Sequence, residues 1–381
     1  MSNIVLSTGV RDNLLSLQST SEMMTRTQGR LATGRKVNSA LDNPTSFFTS
    51  QGLSNRATDL SGLLDDLGQS IQIIKAADQG ITAMSKMLES AKAKANQALQ
   101  TADRFERSRL VSEYNDLLGQ LSGIARDASY NGKNLLAGDG NQVTVYFNEE
   151  NSAKLVVDPV DYTDPATALS LPALTVGTAG STNVTLTTGA AALTSSSLLA
   201  SSTAANAGDV ITFSDANGAI GSITVTATMT VAEFVTEINA QFSQVEASFS
   251  SGTLTIEAAQ DITFTGGQAG AGLNGGSVTA TESSWLDESS IRATLGDINQ
   301  AIRELRTQAA TFGTNLSVLQ QREKFTRELV NVLNVGSDEL VVADTNEEGA
   351  NLLALQTRQQ LSSTALSLAS QSDQAVLRLF G

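Results

Sequence analysis

The sequence predicts a mainly α-helical chain with paired N- and C-terminal coiled-coil helices forming a rod, and a β-rich outer domain inserted between them. Three observations predict it. Apolar residues recur at alternating steps of four and three near both ends. Between about residues 150 and 284 the chain turns instead to Thr, Ser, Gly, Ala and Val. The stretch 155–291 carries −13 of a net charge of −15, with no Lys or Arg between Lys154 and Arg292.

The first segment, 10–35, places Leu14, Leu17, Met24 and Leu31 on heptad positions, with Ser21 and Gln28 completing the register. The seam is weakly hydrophobic, so such a helix gains most of its stability from packing. A break follows. Gly34 suits a helix C-terminus, and Arg35 and Lys36 sit where a macrodipole's negative end favours cations. Asn43-Pro44 reads as an N-cap with proline at the first helical position. Gly34, Asn38, Asp42 and Pro44 therefore mark an inter-helix linker.

The first rod carries Leu60, Leu64, Leu67, Ile71, Ile74, Ile81 and Leu88, with Asp78 and Ser85 filling the register. A second rod repeats the pattern through Ile291, Leu295, Ile298, Ile302, Leu305, Ala309, Phe312, Leu316 and Leu319. A narrow apolar stripe cannot be hidden within one helix, and its cheapest cover is another such stripe. A shorter helix bearing Tyr114, Leu117, Leu121, Ile124 and Ala128 supplies a third rod. An ordinary intramolecular bundle explains these central rods equally well. The last segment mirrors the first, with Leu361, Ala365, Leu368, Val376 and Leu379 on one face.

Tyr130-Asn131-Gly132-Lys133 signals a tight turn, followed by a strand at 142–148. In the middle, strands are expected at 183–188, 209–214, 222–228, 246–250, 253–257 and 261–265. Thr230-Val231-Ala232-Glu233 reads as a capping box opening one helix.

With no cysteine and no histidine, the chain lacks disulfides, a thiol nucleophile, an imidazole base and thiolate or imidazole metal ligands. Carboxylate-only chemistry is compatible with the composition but has no motif behind it, so no catalytic residue, metal or cofactor is expected. An acidic middle repels nucleic acid and anionic membrane, and no stretch approaches the roughly 20 apolar residues that cross a bilayer. The first ten residues lack the pattern of a cleaved signal peptide, which by itself points to the cytoplasm.

Residues 270–275 fit a dinucleotide fingerprint, but the flanks read as a glycine-rich loop. Two N-glycosylation tripeptides, at Asn183 and Asn315, are given no function. The Ser/Thr-rich stretch 194–203 reads as a flexible loop.

Taken together these pieces resemble bacterial flagellin, of the alphaproteobacterial type. The stretch Arg30-Leu31-Ala32-Thr33-Gly34-Arg35-Lys36-Val37-Asn38-Ser39-Ala40-Leu41-Asp42-Asn43 is similar to the family's Leu-x-x-Gly-x-x-Val/Ile-Asn-Ser-Ala-x-Asp signature. Ala77-Asp78-Gln79-Gly80, Tyr130-Asn131-Gly132 and the ending Leu377-Arg378-Leu379-Phe380-Gly381 also look typical.

The resemblance implies three layers: 1–43 with 344–381 as an inner helical assembly domain, 44–149 with 285–343 as a helical rod bearing a β-hairpin, and 150–284 as an acidic outer domain. It implies a non-enzymatic homopolymer, the motility filament, exported unfolded through the flagellar type III apparatus to an extracellular site. That replaces the cytoplasmic reading. Partners implied are an export chaperone and the cap and hook-junction proteins.

Self-assembly falls to Leu14, Leu17, Met24, Leu31, Leu361, Leu368, Val376 and Leu379, and rod packing to the two central seams. Residues 88–94 depart from the Arg- and Leu-rich patch read by a Toll-like immune receptor, which implies weak recognition. The Asp42-Asn43-Pro44 sequence also resembles the hook-filament junction protein, the alternative reading; a secreted surface-binding module on a helical stalk is the third.

Overall fold

A computed structural model describes residues 8–269 and 271–380, the side chains of residues 373 and 376–380 excepted. In chain order it comprises α1 (Thr8–Thr33), α2 (Pro44–Gln100), α3 (Arg104–Asp127), β1 (Val143–Tyr146), β2 (Lys154–Val157), α4 (Pro165–Ala168), β3 (Gly180–Thr185), β4 (Thr187–Thr188), β5 (Ala191–Ala192), β6 (Val210–Asp215), β7 (Gly218–Thr224), α5 (Val231–Gln241), β8 (Val245–Ser250), β9 (Thr253–Ala258), β10 (Ile262–Thr265), β11 (Gly276–Val278), α6 (Glu288–Val341) and α7 (Thr345–Phe380). Long helices at both ends and a β-rich middle agree with the expected fold class.

The chain divides into two compact units. The first holds Met1–Gly68, Val145–Leu155 and Leu319–Gly381; the second holds Gln69–Thr144 and Val156–Val318. Both α2 and α6 contribute a segment to each unit.

In the second unit the β part has two principal antiparallel sheets, ordered β11-β10-β6-β7 and β3-β9-β8. Alternation puts Ile211, Phe213, Ile223, Leu254, Ile256 and Phe264 into a shared core with Phe234 and Ile238 of α5. The α5 cap is reciprocal: the Thr230 hydroxyl accepts from Glu233 N at 3.2 Å, and the Glu233 carboxylate accepts from Thr230 N at 2.9 Å. The Thr230 backbone N–H first, and then its hydroxyl, hold the Glu233 carboxyl below the ordinary glutamate range.

Two expectations change here. The stretch 194–203 is not a loose loop: the Ser197 and Ser195 carbonyls accept from Val231 N and Ala232 N at 3.0 and 2.9 Å, closing the start of α5. Serine-rich sequence met helix donors that need acceptors, and supplied them. The strand expected at 222–228 begins earlier, at Gly218, because Ala216-Asn217 forms a tight turn closed by Asp215 paired with Gly218, with Gly218 at φ +123° and the Asp215 carboxylate accepting from Asn217 N. Strands β2, β5 and β11 were not anticipated; each is too short to show a period. After residues 271–275 the chain enters β11, not the helix a dinucleotide fingerprint requires.

The helical part of the second unit buries Ile71, Ile74, Ile81 and Leu88 of α2, and Ile291, Ile298, Ile302, Leu305 and Phe312 of α6. On α3 the buried row is Leu110, Tyr114, Leu118, Leu121 and Ala125, while Leu117, Ile124 and Ala128 are only half-buried. Adjacent leucines at 117 and 118 made both rows plausible in sequence; the neighbours on one flank chose 118. Contact is close: a Cβ at Gly80 would stand 2.7 Å from Ala128 Cβ and from Leu136 Cδ1.

Arg107, in the first turn of α3, is buried against the end of α2. Its Nε donates to the Ala98 and Thr101 carbonyls at 3.1 and 2.9 Å, and its Nη1 to the Leu286 carbonyl at 2.8 Å. A guanidinium thus serves acceptors at a helix C-terminus, where the macrodipole is negative. Beside it the fully buried Trp285 lies 5.5 Å from the Tyr114 ring, and its indole N–H donates to Thr294 Oγ1 at 3.1 Å. Burial raises the Tyr114 phenol well above its ordinary value and pushes Tyr162 up to about 12, so both stay neutral at physiological pH.

Candidate assembly surface

In the first unit α1 and α7 pack against each other. On α1 the buried positions are Val10, Thr20 and Thr27, with Leu17 and Met24 half-buried between them. On α7 the matching face is Glu348, Leu352, Leu355, Gln359, Ser362, Leu366 and Ala369, stepping by four and three. This inner seam is half polar. Small side chains such as Thr20, Thr27, Ser362 and Ala369 allow the helices to approach.

The seam does not use all the leucines that sequence periodicity placed there. Leu17 and Met24 do face it, but Leu14 and Leu31 are exposed, as are Leu361 at 67% and Leu368 at 62%. The side chains of Val376 and Leu379 lie outside the described residues. Thr20 and Thr27 occupy the row that Ser21 and Gln28 were expected to fill, which rotates the expected register and leaves an apolar row outside. Leu353, also outward at 66%, extends it.

The linker closes this pair. Gly34 stands at φ +67°, a left-handed turn that ends α1. Backbone bonds then run from Lys36 N to the Val341 carbonyl at 2.7 Å and from Ala343 N to the Gly34 carbonyl at 2.9 Å. Arg30 Nη1 meets Glu348 Oε1 at 2.9 Å, with the Glu348 side chain only 9% exposed.

Asp42 organises the turn itself: one carboxylate oxygen accepts from Asn38 N and Ser39 N, both at 3.0 Å. Those two N–H groups hold the Asp42 carboxyl below the usual aspartate range. The Asn38 amide donates to the Arg35 carbonyl at 3.4 Å. Asn43 Oδ1 accepts from Ser46 N at 3.1 Å, and Pro44 is the first residue of α2.

Within the first unit α2 and α6 meet through small residues. Ser50 Oγ and Ser337 Oγ are 2.9 Å apart and buried, and Leu60 clusters with Ala57 and Leu333. Leu67 is fully buried and Leu64 half-buried. The connection between β1 and β2 is held by an Arg56–Glu149 ion pair at 2.8 Å and by the Arg322 guanidinium 5.0 Å above the Phe147 ring.

One set of exposed residues was missed in sequence. Phe325, Val332 and Val335 are exposed on α6 and Val342 just past its end, although their spacing, seven, three and seven, carries a helical period. The signal was there. It was masked by the stronger inward seam on the same helix.

Among the described residues no group of three or more Asp or Glu is placed to hold a metal ion, and no helix is long and apolar enough to cross a membrane. What the unit offers is surface.

Comparison with known proteins supplies the family. The bacterial flagellin N-terminal helical region matches residues 10–141 and the bacterial flagellin C-terminal helical region matches residues 295–380. Together they span more than half of the chain. Flagellin A of Rhizobium meliloti is 28% identical over 400 residues, covering 100% of both chains. Flagellin FljM of Caulobacter vibrioides is 25% identical, covering 100% of this chain and 99% of its own.

Among solved structures, the flagellar junction protein FlgL from Legionella pneumophila aligns at 12% identity over 77% of this chain and 100% of that one, with a TM-score of 0.37. So loose a likeness carries no argument about role. The chain belongs to the bacterial flagellin family, as a structural subunit of the flagellar filament.

Proposed function

We propose that this subunit polymerises through the outward faces of its paired ends, with Leu14, Leu31, Leu361 and Leu368 supplying contacts to neighbouring copies while Leu17 and Met24 hold α1 to α7. The observation that carries this reading is that α7 fills one face inside the subunit and leaves a second leucine row open. Each such leucine contributes roughly 1.5 to 3 kcal/mol when fully enclosed. The three-part layout, 1–43 with 344–381, 44–149 with 285–343, and 150–284, belongs to the same proposal. The helix breaks at 34–43 and 342–344 support its inner boundary.

On the same reading the chain leaves the cell unfolded through the type III flagellar apparatus, handed over by an export chaperone. It works outside the cell between hook-junction and cap proteins, without nucleic acid or membrane insertion. The absence of cysteine, hence of any disulfide to form before export, fits that route. Recognition by a Toll-like receptor is weak: Lys92 is bonded to Asn299 Oδ1 at 2.8 Å and Lys94 to Glu113 at 2.6 Å, so the cations of 88–94 are already engaged. A receptor reporter response equal to that of a patch-bearing flagellin would sink this last point.

Negative-stain electron microscopy of seeded full-length chain, beside a chain lacking 1–40 and 344–381, tests the proposal. Long filaments from the first and none from the second are expected. Short or absent polymers from both would favour a junction adaptor or a secreted binding module.

A further inference from the structure

Three Asn-Gly steps occur in the sequence, at Asn131-Gly132, Asn217-Gly218 and Asn274-Gly275. Such a step is chemically labile, because glycine leaves its backbone nitrogen unshielded beside the asparagine amide carbon. Whether it reacts depends on what else holds that nitrogen and on the backbone angles at the asparagine.

The three steps are held differently. Gly275 N donates to the Phe264 carbonyl at 3.0 Å, and Gly218 is fixed in the ladder of β6 and β7 opposite Asp215. Asn131 and Gly132 are instead the two central residues of a turn, closed by Tyr130 N donating to the Lys133 carbonyl at 2.9 Å and Lys133 N to the Tyr130 carbonyl at 3.0 Å. Those bonds use the N–H groups of Tyr130 and Lys133 and leave that of Gly132 free, and both central residues are exposed. Of the three asparagines only Asn131 has a positive φ, +50°, followed by Gly132 at +78°. These are the angles of a type I′ turn.

The positive φ matters to the chemistry. A five-membered ring made from an asparagine side chain and the next nitrogen needs that nitrogen eclipsed with the asparagine Cβ. Flipping the single peptide between Asn131 and Gly132 turns type I′ into type II′, in which the first central residue keeps its φ and its ψ swings to about −120°, where the two eclipse. The closing bonds survive the flip, and glycine accepts the new φ.

We infer that Asn131 is a self-modification site. The Gly132 nitrogen attacks the Asn131 side-chain Cγ, a C–N bond forms, that nitrogen gives its proton to water, and the amide nitrogen leaves as ammonia. Water then opens the cyclic imide at one of its two carbonyls. Attack at Cγ yields aspartate; attack at the main-chain carbon yields isoaspartate, with Gly132 joined through the former side chain. Nothing is oxidised or reduced: one amide and one water become one carboxylic acid and one ammonia.

Both products place a new carboxylate at position 131. The isoaspartyl one also adds a carbon to the main chain between Tyr130 and Lys133, just before the buried Asn134, whose amide donates to the Ala125 and Arg126 carbonyls in the last turn of α3 at 2.8 and 2.9 Å. The modification thus acts where the chain leaves α3.

The test holds the soluble full-length chain at mildly alkaline pH, with and without guanidinium chloride, and samples it over days. Trypsin isolates Asn131 in the peptide 127–133, and a protease cleaving after acidic residues isolates the other two steps in 216–233 and 262–282. Mass spectrometry reads the exchange of amide for carboxyl, and an isoaspartyl methyltransferase with a labelled methyl donor reads the isoaspartyl product. A nitrogen that must first release one hydrogen bond reacts about fivefold more slowly. In the folded chain Asn131 should therefore convert about fivefold faster than Asn217 and Asn274 or more, while in denaturant the three rates converge. Asn131→Gln should remove the isoaspartyl label from 127–133. Equal rates in the folded chain, or a lead for Asn131 that persists undiminished in denaturant, would overturn the inference.

Discussion

Exchanging Leu361 and Leu368 together for aspartate is expected to leave a folded monomer that forms no filaments. Both side chains are about two-thirds exposed, so the monomer loses little by their replacement; surface changes of this kind usually stay within about 0.5 kcal/mol. In a polymer the two positions lose roughly 3 to 6 kcal/mol of burial and add carboxylates that must be desolvated. A loss of that size raises the critical concentration by about two orders of magnitude or more. Sedimentation and electron microscopy would show soluble subunits, while far-UV circular dichroism matches wild type. Normal filaments from this variant would remove the outward row from the assembly surface. The paired substitutions Leu17→Asp and Met24→Asp should act differently, loosening α1 from α7 before any polymer forms.

The second large effect concerns the interior. Arg107→Met should destabilise the second unit by about 3 kcal/mol, since it strands the buried carbonyl of Ala98 and the partly buried carbonyls of Thr101 and Leu286 that the guanidinium now serves. Methionine keeps much of the volume, so the loss reports hydrogen bonding more than packing. Arg107→Lys should recover only part of it, because one ammonium cannot reach acceptors fanned across two chain segments as a planar fork does. Trp285, next to Leu286, gives the readout: denaturant unfolding followed by its fluorescence should shift to lower midpoint. An unchanged midpoint would mean that water replaces the guanidinium without loss.

Much of this architecture was legible in the residues. The rods announced themselves because Leu and Ile recur with one strict period, and the linker because Gly34, Asn43 and Pro44 each suit a single backbone role. The capping box at Thr230 and Glu233 needs only four letters. Less legible was which of two plausible rows a helix turns inward. Leu117 against Leu118, and Thr20 against Ser21, differ by one position, and the choice is made by partners that lie far away in sequence.

The candidate surface suffered most from this. Periodicity finds apolar rows but not their direction, so Leu361 and Leu368 read the same whether they face α1 or the solvent. On α6 the inward seam hid the Phe325 to Val335 row altogether. The serine-rich stretch at 194–197 was misread for a different reason: its role is carried by backbone carbonyls, which side-chain composition does not report.

The uninterrupted acidity between Leu155 and Ile291 has a consequence that a monomer does not reveal. On a single chain thirteen uncompensated acids raise solubility and little else. Repeated at every subunit of a polymer they become a line charge, whose density is set by the axial spacing of copies and not by how many there are. Counterions then gather along the fibre's length, and two fibres meet as like-charged rods that slide past each other before they stick.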